Sequence, residues 1–149
     1  MTTDHPVIVV GYDGTRAARA AVVRGAERVR DGGVLLILRA YRLPPDDDPY
    51  GAFHGPRLED AANLAAQSID EFAGEEPRLA FVRWERHVAD APAAEALVRL
   101  AARRDADEII VGTRGLSRSG LGSVAAELLQ RADRPVTVIP ERMLLEHIS

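Results

Sequence analysis

Runs of apolar residues alternate with stretches of helical periodicity along this chain of 149 residues. Solid apolar runs without polar interruption are typical of strands that are buried on both faces of a parallel sheet. One run differs, because it mixes apolar side chains with arginine and glutamate, and this half-exposed pattern predicts an edge strand. The predicted strands are residues 7–10, 34–38, 79–88 (the edge strand), Glu108–Gly112 and Val136–Ile139.

Four further segments place apolar residues three and four positions apart, which predicts helices. Residue types that cap helices precede them, and glycine or a break in the periodicity ends them. The first predicted helix is capped by Thr15 and stops at residues 31–33, and the second covers residues 58–72 and stops at Gly74. The third is capped by Asp90 and ends at about Arg104, and the fourth covers residues 123–132. Residues 43–56 collect proline, glycine and aspartate, which predicts an exposed loop.

The alternation of five strands with four helices predicts one doubly wound α/β domain. We expect a Rossmann-like, five-stranded parallel sheet of order 3-2-1-4-5 with helices on both faces, a core at residues 5–140 and a tail at residues 141–149. Ligands of such sheets bind outside the carboxyl ends of the strands, where the strand order reverses. Asp13, Ala40 and Gly112 follow or end strands there.

Composition removes several kinds of chemistry. The chain has no cysteine, and all nineteen of its basic residues are arginine, so thiolate sites and lysine-dependent catalysis are excluded. A net charge of −4 without a basic run argues against nucleic acid as a partner. No apolar run approaches the roughly 18 residues of a membrane span, so we expect no membrane partner and a cytoplasmic location.

A glycine-rich loop between a buried strand and a helix is the most informative stretch. Residues 112–123 contain Gly112, Gly115, Gly120 and Gly122. Glycine lets backbone N–H groups approach a ligand, and a helix start offers unpaired donors to an anion, so phosphate binding is one interpretation. The alternative is that the glycines serve only the turn and Ser123 only caps the helix.

Asp13 has two interpretations as well. A carboxylate at the end of a strand accepts a hydrogen bond from an amine or a ribose hydroxyl, but it also commonly bonds the turn that follows. The acidic run at residues 46–48 lacks the spacing of a calcium loop, and the four histidines form no zinc pair, so we assign no metal site. The serines of the loop lack a nucleophile elbow, and we assign no catalytic residue.

The chain resembles the universal stress protein family. The resemblance rests on residues 7–15 with their aspartate turn, on Gly112-Thr113-Arg114-Gly115, on Gly122-Ser123, and on the A-D-R-P-V stretch before the last strand. It implies that Asp13 and Ala40 contact adenine, that Gly112 and Gly115 line the ribose and phosphate path, and that the start of the last helix holds phosphates. The predicted nucleotide-binding residues are Tyr12, Asp13, Ala40, Val111, Gly112, Gly115, Arg118, Gly122, Ser123 and Val124.

One departure from the family pattern concerns the loop. Six residues, 116–121, separate Gly115 from Gly122, whereas the pattern has nine. Fewer backbone donors then surround a triphosphate, although adenosine or a monophosphate still fits and Arg118 can supply a compensating charge.

The resemblance leads to two hypotheses. In the first, the protein is a stress-response module that binds ATP or another adenine nucleotide, with or without Mg²⁺, and has at most weak ATP hydrolysis. In the second, the same fold is a nucleotide-free interaction or signalling scaffold. Both predict a homodimer through the last strand, Val136–Ile139. A small phosphatase-like enzyme is a third interpretation that lacks candidate catalytic groups.

Overall fold

The computed structural model describes residues 5–42, 58–113 and 122–140. Strands and helices alternate through them, and α2 is followed by a short 3₁₀ helix. In chain order the elements are β1 (Val7–Gly11), α1 (Arg16–Arg28), β2 (Val34–Tyr41), α2 (Leu58–Glu75), the 3₁₀ helix (Pro77–Phe81), β3 (Trp84–Asp90), α3 (Ala93–Arg103), β4 (Glu108–Gly112), α4 (Ser123–Arg131) and β5 (Val136–Ile139).

All five strands are parallel and form one sheet of order β3-β2-β1-β4-β5, which confirms the predicted fold class. β1 lies in the centre, where Val9 pairs with Leu36 of β2 on one side and with Ile109 of β4 on the other. The chain adds β2 and β3 on one side of β1 and then crosses to add β4 and β5 on the other side. The strand order therefore reverses at β1, as the sequence predicts.

The core consists of two layers, one on each face of the sheet. Successive strand residues point to opposite faces, so Val10 joins the cluster under α1 and α2, whereas Val9 joins the cluster under α3 and α4. Ile69 of α2 and Leu97 of α3 are fully buried in these two clusters. The helical stripes predicted from the sequence thus cover both faces of the sheet.

The predicted edge strand at residues 79–88 is wrong in its first half. Glu76 begins the 3₁₀ helix by accepting a hydrogen bond from the amide of Arg78 at 3.2 Å, and Pro77 supplies the fixed φ that suits a helix start. The strand starts only at Trp84, which is half-buried against the core under α1 and α2. β3 is nevertheless an edge strand, as predicted.

Two helix ends differ from prediction, and α4 begins at Ser123 as predicted but with a different cap from the one in the alternative interpretation. α2 continues through Gly74 to Glu75, since an exposed glycine weakens a helix without ending it. Asp90 ends β3 instead of capping α3, whose N-cap is Pro92. The N-cap of α4 is Gly122, so Ser123 is the first helical residue and not the cap.

β2 extends three residues beyond the predicted end, because its pairing with β3 continues to Tyr41 opposite Asp90. The predicted loop at residues 43–56 and the predicted tail at residues 141–149 lie outside the described residues. None of the described helices is both long enough and apolar enough to cross a membrane.

Candidate functional site

A cleft of about 180 Å³ opens at the carboxyl ends of β1, β2 and β4. The turn after β1, the end of β2 and the first turns of α3 and α4 surround it. Its described lining consists of Gly11, Tyr12, Asp13, Ala18, Leu38, Ala40, Ala93, Leu97, Val111, Gly112, Gly122, Ser123, Val124 and Ala125. The cleft therefore occupies the switch point where ligands of doubly wound sheets bind.

The structure brings together eight of the ten residues that the sequence suggests for nucleotide binding. They are Tyr12, Asp13, Ala40, Val111, Gly112, Gly122, Ser123 and Val124. The other two, Gly115 and Arg118, lie outside the described residues, as do Arg114, Ser117 and Ser119. Four segments that are distant in sequence thus converge on one space.

Six lining residues were not predicted, namely Gly11, Ala18, Leu38, Ala93, Leu97 and Ala125. Each is small or apolar and lies near the end of a strand or the start of a helix, so none carries a chemical signal in the sequence. Leu38 and Leu97 are almost fully buried and belong to the core under α3 and α4. Together with Ala40 they give the cleft an apolar wall that suits a flat, apolar ring face.

The Asp13 carboxylate is held by the turn that follows it. Its Oδ1 accepts hydrogen bonds from the Thr15 amide at 3.0 Å and from the Thr15 hydroxyl at 2.6 Å. Thr15 Oγ1 in turn accepts from the amide of Ala18 at 3.2 Å and caps α1, as predicted. The interpretation of Asp13 as a turn residue is thus confirmed, and the same hydrogen bonds hold its carboxylate in place beside the cleft.

Tyr12 anchors this turn to the core. Its amide donates to the Leu38 carbonyl at 2.8 Å, and its ring is buried. The ring stacks on Phe72 of α2 with a centroid distance of 5.4 Å and an interplanar angle of 16°. The residue that precedes Asp13 therefore connects the cleft to α2 on the opposite face of the sheet.

The close packing of α1 against the end of β4 requires a glycine at position 112. A Cβ atom there would lie 2.4 Å from the carbonyl carbon of Ala17 and 2.5 Å from its oxygen. Both atoms belong to the backbone of α1, so a rotamer change cannot relieve the contact. The close approach of α1 to β4 explains this glycine without a ligand, although Gly112 also lines the cleft.

The N-terminus of α4 faces the cleft. Gly122 is its N-cap with φ −67° and ψ 161°, and no described side chain caps the first turn. The first helical hydrogen bond runs from the Ala126 amide to the Gly122 carbonyl at 3.0 Å, so the amides of residues 123–125 have no acceptor within the helix. Such amides, with the positive end of the helix dipole, favour an anion.

The charges of the described lining are sparse: it contains one carboxylate, Asp13, and neither arginine nor histidine. No cluster of three or more potential metal ligands occurs within residues 5–42, 58–113 and 122–140. Any phosphate in the described part of the cleft would meet backbone amides.

Among residues 5–42, 58–113 and 122–140, the carboxyl group with the most strongly shifted pKa is Glu85 on β3, away from the cleft. Arg104 donates hydrogen bonds to both carboxylate oxygens of Glu85, at 2.6 and 3.0 Å, and His87 lies 3.1 Å from Oε1. The Arg104 hydrogen bonds, helped by His87 and opposed by burial, hold the pKa of Glu85 at about 2, below its ordinary value of 4.5. Glu85 does not line the cleft, so this ion pair serves the structure.

Comparison with known proteins agrees with this architecture. The model of the universal stress protein family matches residues 6–140. A universal stress protein of Mycobacterium tuberculosis is 35% identical over 143 residues, an alignment that covers 91% of this chain and 48% of that protein. The chain thus spans about half the length of that relative. A universal stress protein of Thermus aquaticus is 32% identical over 137 residues, with 89% of this chain and 96% of that protein covered.

A solved structure of a universal stress protein in complex with cAMP has the same fold. Its TM-score with this chain is 0.65 at 26% sequence identity, and the match covers 93% of this chain and 99% of that one.

Proposed function

Because the chain belongs to the universal stress protein family, we propose that its cleft binds an adenine nucleotide and that the bound nucleotide acts as a signal in a stress response. The observation that carries the proposal is the convergence of eight nucleotide-site candidates on one cleft at the switch point of the sheet. The cAMP complex of a relative supports the choice of an adenine nucleotide. The predicted cytoplasmic location is part of the same proposal.

The adenine base of the nucleotide is assigned to the apolar wall of the cleft, which Leu38, Ala40 and Leu97 form. Apolar side chains favour the faces of a purine ring and give no hydrogen bond to its edge. The Asp13 carboxylate supplies the polar contact, because it accepts hydrogen bonds and adenine carries an exocyclic amine. Thr15 holds Oδ1 in place, so the carboxylate loses little conformational freedom when the ligand binds.

The phosphate is assigned to the N-terminus of α4. The uncapped amides at residues 123–125 are donors of the kind that bind phosphate oxygens. Gly122, Ser123 and Val124 are the residues that the sequence suggests for this role, and Gly112 lines the same cleft. The contributions of Gly115 and Arg118 remain predictions.

Isothermal titration calorimetry of the nucleotide-stripped protein tests the proposal. ATP, ADP, AMP and cAMP are each titrated with and without Mg²⁺, because an ion that bridges phosphates needs no ligand set on the protein. We expect micromolar affinity for at least one of them. Asp13→Ala removes the acceptor for the base and Gly122→Val blocks the approach of phosphate, so each is expected to abolish binding.

Matched controls keep this experiment interpretable. Asp31→Ala removes an exposed carboxylate outside the cleft, and Gly74→Ala changes a glycine whose surroundings are open. Both controls are expected to bind like the wild type. Absence of heat with all four nucleotides would refute the proposal and favour the nucleotide-free scaffold, whereas binding that survives Gly122→Val would place the site elsewhere.

We also propose that the protein forms a homodimer through β5, Val136–Ile139. β5 is an edge strand of the described sheet. The carbonyls of Pro135 and Ile139 accept hydrogen bonds from the amides of Ile109 in β4 and Thr113 just after it. The backbone groups of residues 136 and 138 therefore point to the outer edge. An uncovered edge invites pairing with another strand.

Light scattering after size exclusion tests the dimer with Val138→Pro. Proline at this position removes an outward N–H donor and leaves the hydrogen bonds to β4 intact. We expect a dimer for the wild type and a monomer for the variant. A monomeric wild type, or a variant that dimerises equally well, would contradict this proposal.

A further inference from the structure

Arg39 lies beside the cleft without lining it. It follows Leu38 in β2, and its side chain points to the α1 and α2 face of the sheet. There, Nη1 donates a hydrogen bond to Ser68 Oγ of α2 at 3.0 Å. Ser68 Oγ donates in turn to the Ala65 carbonyl at 2.7 Å, so the arginine is anchored on α2.

The same guanidinium covers the turn that carries Asp13. Its Cζ lies 5.9 Å from the centroid of the Tyr12 ring, and Nη1 lies 3.5 Å from the place where a Cβ of Gly14 would stand. Gly14 has φ +84°, a conformation that favours glycine. The guanidinium thus packs against the residues on both sides of Asp13.

Tyr12 also contacts α2. Its ring stacks on Phe72, and the guanidinium of Arg19 lies 5.7 Å from the centroid of the Phe72 ring. Successive contacts therefore link Arg39, Tyr12, Phe72 and Arg19, and they join α1, β2 and α2 to the turn after β1.

We propose that Arg39 is a positioning residue of the nucleotide site, which holds the turn at residues 12–14 against α2 and thereby fixes the Asp13 carboxylate for the ligand. This inference rests on the proposed function and adds a residue that the cleft lining does not contain. A cation over a buried aromatic ring and a hydrogen bond from a charged donor each stabilise one conformation of such a turn. Loss of the two interactions lets the turn sample other conformations. The apparent affinity for the nucleotide then falls in proportion to the fraction of molecules that keep the binding-competent turn.

The binding test compares Arg39→Met, which keeps the length of the side chain and removes its charge, with Arg39→Lys, which keeps the charge. We expect Arg39→Met to weaken nucleotide binding about tenfold, the equivalent of about 1.4 kcal/mol. Arg39→Lys is expected to stay within about threefold of the wild type, because an ammonium group is also attracted to a ring face and also donates hydrogen bonds to a hydroxyl. Arg99→Met, at an arginine whose side chain is 67% exposed, is the matched control.

Hydrogen exchange of the ligand-free protein tests the positioning itself. The Thr15 amide donates to Asp13 Oδ1, whereas the Ala96 amide donates to the Pro92 carbonyl of α3, far from Arg39 in the chain. We expect exchange at Thr15 to rise about tenfold in Arg39→Met while exchange at Ala96 is unchanged. A general loss of stability would raise exchange at both amides and would not be rescued by lysine.

The outcomes separate the two proposals. If the wild type binds no nucleotide, the proposed function fails, and an unchanged Thr15 exchange in Arg39→Met would also refute the positioning of the turn. If the wild type binds and Arg39→Met binds equally well, the proposed function stands and Arg39 is not a positioning residue. Weaker binding with faster Thr15 exchange, both rescued by lysine, supports the inference.

Discussion

Gly112→Ala tests whether this glycine serves the packing of α1 or the approach of a ligand. Gly112 ends β4, pairs with Ile139 of β5 and lines the cleft. If only a ligand requires the glycine, alanine weakens binding and leaves the stability of the free protein unchanged. If α1 requires it, alanine destabilises the free protein whether or not a nucleotide is present.

The structure favours the second result. The new Cβ would lie 2.4, 2.5 and 2.6 Å from the carbonyl carbon, the oxygen and the Cβ of Ala17, where ordinary contacts are about 3.4 Å or longer. The helix must therefore shift by about 1 Å on a sheet to which it is closely packed. Overpacking of this kind costs about 1–3 kcal/mol, and more where backbone atoms obstruct. We expect a net loss of about 3 kcal/mol, or about 10 °C in Tm.

Thermal and urea unfolding of the nucleotide-free protein measure this loss. Gly74→Ala is the control, since its new Cβ meets nothing within 4 Å in α2 and alanine is the better helix former. It is expected to stabilise the protein by about 0.5–1 kcal/mol. A Gly112→Ala protein that melts within about 2 °C of the wild type would refute the packing argument. Binding lost at unchanged stability would assign the glycine to the ligand.

Two further predictions concern interactions away from the cleft. The pKa of Glu85 is about 2 in the folded protein and 4.5 ordinarily, so its contribution to stability is complete above pH 4.5 and disappears as the pH falls towards 2. With allowance for solvent screening, Glu85→Gln should cost about 1 kcal/mol in urea unfolding at pH 7 and almost nothing near pH 2. Arg134 donates to the carbonyls of Ala101 and Ala106 at 2.9 and 2.8 Å, and its side chain is only 15% exposed. Arg134→Met should cost about 1–2 kcal/mol, because it removes the arginine donor from both carbonyls, of which that of Ala101 keeps the hydrogen bond from the Ala106 amide.

Variants of surface ion pairs are the controls for Glu85→Gln and Arg134→Met. Glu95→Gln removes a carboxylate from an i,i+4 pair with Arg99, and Arg131→Met removes the equivalent partner of Glu127. Each should change the free energy of unfolding by less than about 0.5 kcal/mol. A cost for Glu85→Gln that is the same at pH 7 and near pH 2 would contradict the linkage argument. An Arg134→Met protein as stable as the Arg131→Met control would show that the two carbonyls find other donors.

Local patterns in the sequence were sufficient for most of the fold. The apolar runs at Glu108–Gly112 and Val136–Ile139 coincide with β4 and β5, and Thr15 caps α1 as its residue type suggests. These features depend on residues that are close in the chain, where periodicity and capping act. The predicted strand order is confirmed, and Asp13, Ala40 and Gly112 line the cleft as expected, because carboxyl ends of parallel strands meet at one edge. The remaining described site residues came from the resemblance to the universal stress protein family.

Contacts between distant residues decided the rest. Residues 79–81 are as apolar as a strand, but Glu76 and Pro77 turn them into a 3₁₀ helix, and pairing with β2 begins only at Trp84. Nothing near Gly112 in the chain shows that Ala17 lies against it. Arg39 has the same residue type as eighteen other positions, and it lies beside Tyr12 only because β2 pairs with β1 while Ser68 of α2 holds its guanidinium. The sequence by itself determined most of the elements and the edge at which the cleft lies, whereas the tertiary structure decided which side chains support that edge, because such contacts depend on how strands and helices pack across the sheet.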